Sequence, residues 1–255
     1  MTTRPPVKAQ PFRPLVVGVL DSWADLQLAL QLPKLPDLLE LRLDHFWDIA
    51  DDLENKSSML AAPLIITARD PREGGANNLS IQKRRELLFR FLPRARYVDV
   101  ELRSVNNLRA LLARARRKNV RCILSFHDLN STPPVRTLHA IARAAKSYRA
   151  DIFKVATRTD SPDQLARLLD FFTNHDVDLA VSAMGLGKLG AKSRRKLMRQ
   201  GSVLNYAHLG CGHITGQPSL SEIRRWALAI AEPVLATRRV RPTGGQGGGG
   251  FGVER

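Results

Sequence analysis

The sequence predicts a single-domain α/β protein, a (β/α)8 barrel, on three observations. Short apolar and β-branched runs alternate with longer stretches of helical periodicity, the pattern of parallel strands joined by right-handed crossovers. Eight such units fit into about 225 residues, the compact end of the size range of this barrel. The first strand runs into "GVLDSWAD", which is not the Gly-rich turn that a nucleotide-binding open sheet usually carries there.

The expected strands are 15–20 (LVVGVL), 38–43 (LLELRL), 64–67 (LIIT), 97–101 (YVDVE), 121–125 (RCILS), 151–156 (DIFKVA), 178–181 (DLAV) and 202–206 (SVLNY). Each is short and mostly apolar, the composition of a strand packed inside a sheet. Helical stretches such as "SWADLQLALQL" (22–32) and "SPDQLARLLDFFTNH" (161–175) lie between them. The second opens with Ser161 and Pro162 at the cap and first-turn positions, ahead of apolar residues at helical spacing. Residues 1–13 are Pro-rich and polar and predict a loose lead-in; the barrel is expected over 14–237. From 238 the chain becomes "RRVRPTGGQGGGGFGVER", too poor in apolar residues to order itself.

Composition narrows the function. The chain has 255 residues, 44% hydrophobic and 25% charged, ordinary values for a soluble globular protein. No apolar stretch reaches the length of a membrane span, and "MTTRPPVKAQPFRP" has no signal-peptide core. Cys122 and Cys211 are the only cysteines and match no metal-ligand spacing, so a reducing, cytoplasmic location is expected. Forty Lys and Arg against 24 Asp and Glu give a formal charge of +16. Basic runs at 109–121, 192–199 and 238–241 raise the question of nucleic acid. However, Arg114, Arg116, Arg117 and Lys118 share a predicted helix with Leu108, Leu111, Leu112 and Ala115, and so form a solvated face. Aromatic residues are only 6% and do not interleave with the basic runs. Nucleic acid is not the expected partner; a small anionic substrate suits the field equally well.

Reactive residues of such a barrel sit near the C-terminal ends of its strands. The second strand ends on Glu40, Arg42 and Asp44, placed on one face by their period-two spacing. The third leads to Arg69 and then Glu73 before two glycines; the fourth carries Asp99 and Glu101. His127 lies just past the fifth, and Lys154 is within the sixth. A glycine-rich loop after the seventh ends at Arg194, and a small-residue loop after the eighth holds Gln217. Each has a bland reading: a structural ion pair, a satisfied histidine, an edge lysine snorkelling to solvent. Their convergence on one mouth points instead to an enzyme acting on a small carboxylated, hydroxylated molecule. No metal-ligand cluster or phosphate loop is present in the pattern.

A strand lysine near a histidine has a specific use. A neutral amine condenses with a ketone to a Schiff base, whose iminium is an electron sink for proton loss at the adjacent carbon. Burial and neighbouring cations favour a neutral amine. Arg42, Arg69 and Arg194 are the expected cations, and His127 the expected proton shuttle.

The segments "LELRLDHF", "TARDPREGG", "YVDVEL", "ILSFHD", "DIFKVA", "GKLGAKSR", "GSVLNYA" and "GQPSLSEIR" resemble, in order and spacing, the type I 3-dehydroquinate dehydratases of the shikimate pathway. The resemblance spans nearly the whole expected barrel. It implies an often dimeric barrel that removes water from 3-dehydroquinate to give 3-dehydroshikimate, with no cofactor or metal. It places Lys154 at the Schiff-base lysine, His127 at the general acid/base and Glu73 at the carboxylate orienting that histidine. Glu40, Arg42 and Arg69 match residues around the substrate hydroxyls. Arg194 matches the arginine gripping the substrate carboxylate, where a planar fork suits better than lysine, and Gln217 matches the glutamine of the closing loop. Two positions depart from the family. Leu186 stands where a methionine is usual, a nearly volume-conserving change. The closing loop reads His213-Ile214-Thr215-Gly216-Gln217 where the family has a pattern close to Ser-Ala-Pro-Gly-Gln, which alters its stiffness and adds a titratable group. Another keto acid as substrate, and a non-catalytic nucleic-acid-binding barrel, are the alternatives.

Overall fold

The computed structural model describes residues 13–210 and 214–239. The expected lead-in apart from Arg13, the tail beyond 239, Cys211 and His213 lie outside the described residues. The strands are β1 (Leu15–Leu20), β2 (Leu38–Arg42), β3 (Leu64–Thr67), β4 (Ala95–Glu101), β5 (Arg121–Asp128), β6 (Ile152–Arg158), β7 (Ala180–Leu186) and β8 (Leu204–His208). The helices are α1 (Trp23–Gln31), α2 (Ala50–Ser57), α3 (Ile81–Phe91), α4 (Arg109–Arg117), α5 (Val135–Ser147), α6 (Pro162–Asn174), α7 (Gly190–Gln200) and α8 (Leu220–Arg239). Ser161 caps α6 in a reciprocal capping box with Gln164. Helix α8 runs past the expected barrel end at 237.

Among the described residues the strands pair in parallel, in the order β7-β6-β5-β4-β3-β2-β1-β8. β1 pairs with β8, Val17 opposite Tyr206. The β7–β8 seam is bridged by Val203 N–H to Val181 O (3.1 Å) and Ser182 Oγ to Leu204 O (2.7 Å). The result is a nearly closed TIM barrel. Inside it, Val17, Leu38, Ile65, Ile123, Ile152 and Leu204 belong to an apolar plug, so the barrel is filled and its reactive end is the top. A larger apolar layer, including Leu39, Leu41, Leu88, Phe153 and Phe171, packs the sheet against the helices. Among the described residues no helix is long and apolar enough to cross a membrane.

β2, β4 and β6 differ from the expected ranges by one or two residues at one or both ends, and three other strands differ in ways that bear on the site. β5 continues through His127 to Asp128, paired with β6 up to Thr157, so the histidine is in the strand and not beyond it. β7 begins at Ala180 and continues through Ala183-Met184-Gly185-Leu186, the start of the expected glycine-rich loop. The small residues of this run let α7 approach: Gly185 N–H donates to Ser193 Oγ at 3.0 Å. β8 begins at Leu204 and reaches His208.

Candidate active site

One cavity of about 240 Å³ opens at the C-terminal end of the barrel. Lys154, His127, Glu73, Glu40, Arg42, Arg69, Arg194 and Gln217 all line it. Six segments supply these side chains, β2, the loop after β3, β5, β6, the start of α7 and the loop after β8, so Arg194 stands in a helix and not at the end of the expected loop.

Lys154 sits in the middle of β6, opposite Ser125 on β5 and Ser182 on β7, and is only 4% exposed. Its Nζ is 2.9 Å from Asp99 Oδ2 and 3.2 Å from Glu40 Oε1, and lies 4.0 Å from the centroid of the Tyr206 ring. A buried ammonium needs such partners to replace its hydration. The expected cations do not touch it. Arg69 lies behind the two carboxylates, donating to Asp99 (2.8 Å) and to Glu101 (3.0 Å) and Ser125 (2.7 Å). Burial works against the charged form of Asp99, but Arg69 and Lys154 outweigh it and hold this carboxyl well below the usual carboxylate range. Arg84, on α3 and 1% exposed, closes the network from outside by pairing with Asp70 (2.9 Å) and Glu101.

His127 and Glu73 form a second unit. Glu73 Oε2 accepts the backbone N–H of His127 (2.9 Å) and faces its Nδ1 (3.0 Å), while Nε2 has no hydrogen-bond partner among the described residues. Burial, then the charges of Arg69 and Lys154, press the His127 pKa well below 6.5, so the imidazole is neutral at pH 7. Burial pushes Glu73 up to about 7, against the pull of Arg69. The loop carrying Glu73 is fixed by Arg42, which holds Asp44 in a two-point ion pair (3.1 and 2.8 Å) and donates to Gly74 O (3.1 Å). The second glycine is required: a Cβ on Gly75 would lie 2.2 Å from Arg69 O.

Arg194 differs from the other cations of the cavity. It is 6% exposed, its Nε donates to Gly185 O (3.0 Å) and its Nη1 to Tyr206 O (3.2 Å), and no carboxylate among the described residues pairs with it. Burial lowers its pKa to about 10. A buried guanidinium with no carboxylate partner has the charge and geometry to accept one. Across the mouth, Thr215 O accepts from Gly187 N–H (2.8 Å), and Ile214 and Gln217 face the cavity. This bond restrains the segment that lacks the family's proline.

Sequence reasoning left three contributors without a role. Tyr206 supplies the ring beneath Lys154, and its buried hydroxyl has no hydrogen-bond partner among the described residues. Arg103 pairs with Glu73 (3.1 Å) from the turn after β4. Arg84 hides among the charges of "QKRRE"; its spacing with Leu87, Leu88 and Phe91, all on the buried face of α3, was the available signal.

Comparison with known proteins identifies the family. The family description "Type I 3-dehydroquinase" matches residues 20–232. The 3-dehydroquinate dehydratase of Pyrococcus abyssi is 34% identical over 191 residues, covering 74% of this chain and 85% of its own length. That of Thermodesulfovibrio yellowstonii is 30% identical over 213 residues, with coverages of 82% and 92%. The crystal structure of the Geobacillus kaustophilus 3-dehydroquinate dehydratase superposes with a TM-score of 0.76 at 27% identity, over 86% of this chain and 91% of that one. The chain belongs to the type I 3-dehydroquinase family.

Proposed function

We propose that this protein is a hydro-lyase that converts 3-dehydroquinate to 3-dehydroshikimate through an imine on Lys154. The observation that carries the reading is the meeting, in one cavity, of a buried lysine amine, a neutral histidine with a free Nε2 and an unpaired buried arginine. Arg194 takes the substrate carboxylate, which fixes the ring so that its ketone faces Lys154. The amine adds to the ketone carbon after giving a proton to its surroundings, and the carbinolamine loses water to become an iminium. Asp99, Glu40 and the Tyr206 face all favour positive charge at Nζ and thus favour the iminium as they favour the ammonium. His127 Nε2 removes a proton from the adjacent carbon, and the electron pair flows into the iminium to give an enamine. The enamine expels the β-hydroxyl, which takes the proton from His127 and departs as water. Hydrolysis of the conjugated imine returns Lys154. Glu40, Arg42 and Arg69 order the wall facing the substrate hydroxyls, and Gln217 completes the closing loop.

The reaction needs no cofactor or metal in this scheme. Among the described residues no group of three or more His, Cys, Asp or Glu side chains is arranged to hold a metal ion. A homodimer in the cytoplasm completes the proposal, supported by the family resemblance; sedimentation equilibrium checks the assembly. The test of the activity is an absorbance assay for the conjugated enone product. Wild type is expected to turn over 3-dehydroquinate in preference to related keto acids, and Lys154→Ala to be inactive; full turnover by that variant contradicts the proposal.

A further inference from the structure

Glu73 is reached from two sides. On the cavity side its Oε2 engages both the backbone N–H and Nδ1 of His127. On the other side its Oε1 is 3.1 Å from Arg103 Nε. Arg103 sits in the turn Leu102–Ser104 directly after β4, and Ser104 Oγ accepts from the buried Arg84 (3.2 Å), which fixes the turn. Glu73 is buried, whereas the Arg103 side chain is 41% exposed. The outer part of Arg103 lines a second cavity of about 240 Å³, with Arg72, Arg84, Asn78 and Asn107. All three guanidiniums of that cavity are already paired with carboxylates, Arg72 and Arg84 with Asp70 and Arg103 with Glu73. The cavity is therefore an access route from solvent to Arg103 more than an anion seat.

We propose that Arg103 is a positioning residue that holds Glu73 as a carboxylate and so fixes the tautomer of His127. The inference rests on the dehydratase reading, in which His127 acts through Nε2. An ionised Glu73 can only accept, so Nδ1 carries the imidazole proton and Nε2 keeps its lone pair. A protonated Glu73 can donate to Nδ1 instead; the ring proton then moves to Nε2, which no longer serves as a base. Burial raises the Glu73 pKa to about 7, Arg69 pulls it down most, Glu101 pushes it up, and the His127 backbone N–H and Arg103 add to the downward pull. Removing Arg103 raises it further. His127 then loses its working tautomer over a wider range of pH.

The experiment compares wild type with Arg103→Met, Arg103→Lys and Arg103→Ala. In Arg103→Met, kcat is expected to fall about tenfold at pH 7, part of the roughly 10²–10⁴ a positioned acid–base group contributes, with KM little changed. The acid limb of its pH–rate profile moves to higher pH. Arg103→Lys, which keeps a cation, recovers most of the loss. Guanidinium ion at constant ionic strength, reaching Glu73 through the second cavity, restores part of the activity of Arg103→Ala and has no such effect on wild type. Imidazole ¹⁵N resonances of His127 shift from the Nδ1–H toward the Nε2–H tautomer in Arg103→Met. Wild-type kcat and pH profile in Arg103→Met overturn the inference, as does a pH-independent loss that neither lysine nor guanidinium rescues. Failure of wild type to dehydrate 3-dehydroquinate would instead refute the functional reading. The His127 tautomer comparison would still decide the role of Arg103.

Discussion

Replacing Arg194 by methionine separates binding from stability in a way this site makes calculable. The guanidinium is 6% exposed, and burial lowers its pKa well below that of an ordinary arginine, to about 10. At 1.36 kcal/mol per unit, burying that charge costs roughly 3 kcal/mol in the free protein. Methionine relieves this cost but leaves Gly185 O and Tyr206 O without their donor, at about 1–3 kcal/mol each. The two effects offset, so the melting temperature should move by no more than several degrees. Substrate binding has no such offset. Loss of a charge-assisted contact to the carboxylate is worth about 3 kcal/mol, or roughly 150-fold in Kd. Calorimetry with 3-dehydroquinate on the Lys154→Ala background, where turnover does not interfere, reads this directly. An analogue lacking the carboxylate should bind with and without Arg194 equally well. A Kd within threefold of the parent, or an equal loss for the analogue, would refute the assignment.

Because Glu73 is competent as a carboxylate and titrates at about 7 while His127 stays neutral to well below 6.5, kcat/KM should rise through pH 7 and fall below it. Glu73→Gln should remove that limb and lower kcat about 10²-fold; a profile flat from pH 5 to 8 in wild type would contradict the pairing. Gly216 has φ +84°, and a Cβ there would lie 2.6 Å from Gly187 O. Gly216→Ala should displace the closing segment at a cost of about 1–3 kcal/mol, raising KM and lowering the unfolding midpoint by roughly 2–4 °C per kcal/mol. Arg84→Leu leaves Asp70 and Glu101 short of a buried partner, and urea denaturation should show a loss of about 3–5 kcal/mol; a loss under about 1 kcal/mol would mean the network relaxes without it.

Much of this site is written in the sequence because strands force charge into view. Lys154 interrupts "DIFKVA", and Glu40 and Arg42 interrupt "LLELRL", so their burial follows from the apolar residues on either side. Period-two spacing then puts them on the barrel interior. What compensates those charges was harder to see. The lysine was expected among cations, but its nearest partners are Asp99 and Glu40, because counter-ions come from strands distant in sequence and only closure of the barrel brings them together. Arg84 lies among Lys83 and Arg85, and a run of basic residues on a helix resembles a solvated face until the positions of Leu87, Leu88 and Phe91 are counted. The limits of β7 were missed because residues small enough to admit α7 also suit a loop.

The central claim is that the amine of Lys154 becomes covalently bound to the substrate ketone. Borohydride reduction in the presence of 3-dehydroquinate, followed by peptide mass analysis, tests it most directly. The expected result is a stable adduct on the peptide containing Lys154, absent without substrate and absent from Lys154→Ala. Turnover of 3-dehydroquinate with no trapped adduct, or an adduct on a different lysine, would contradict it.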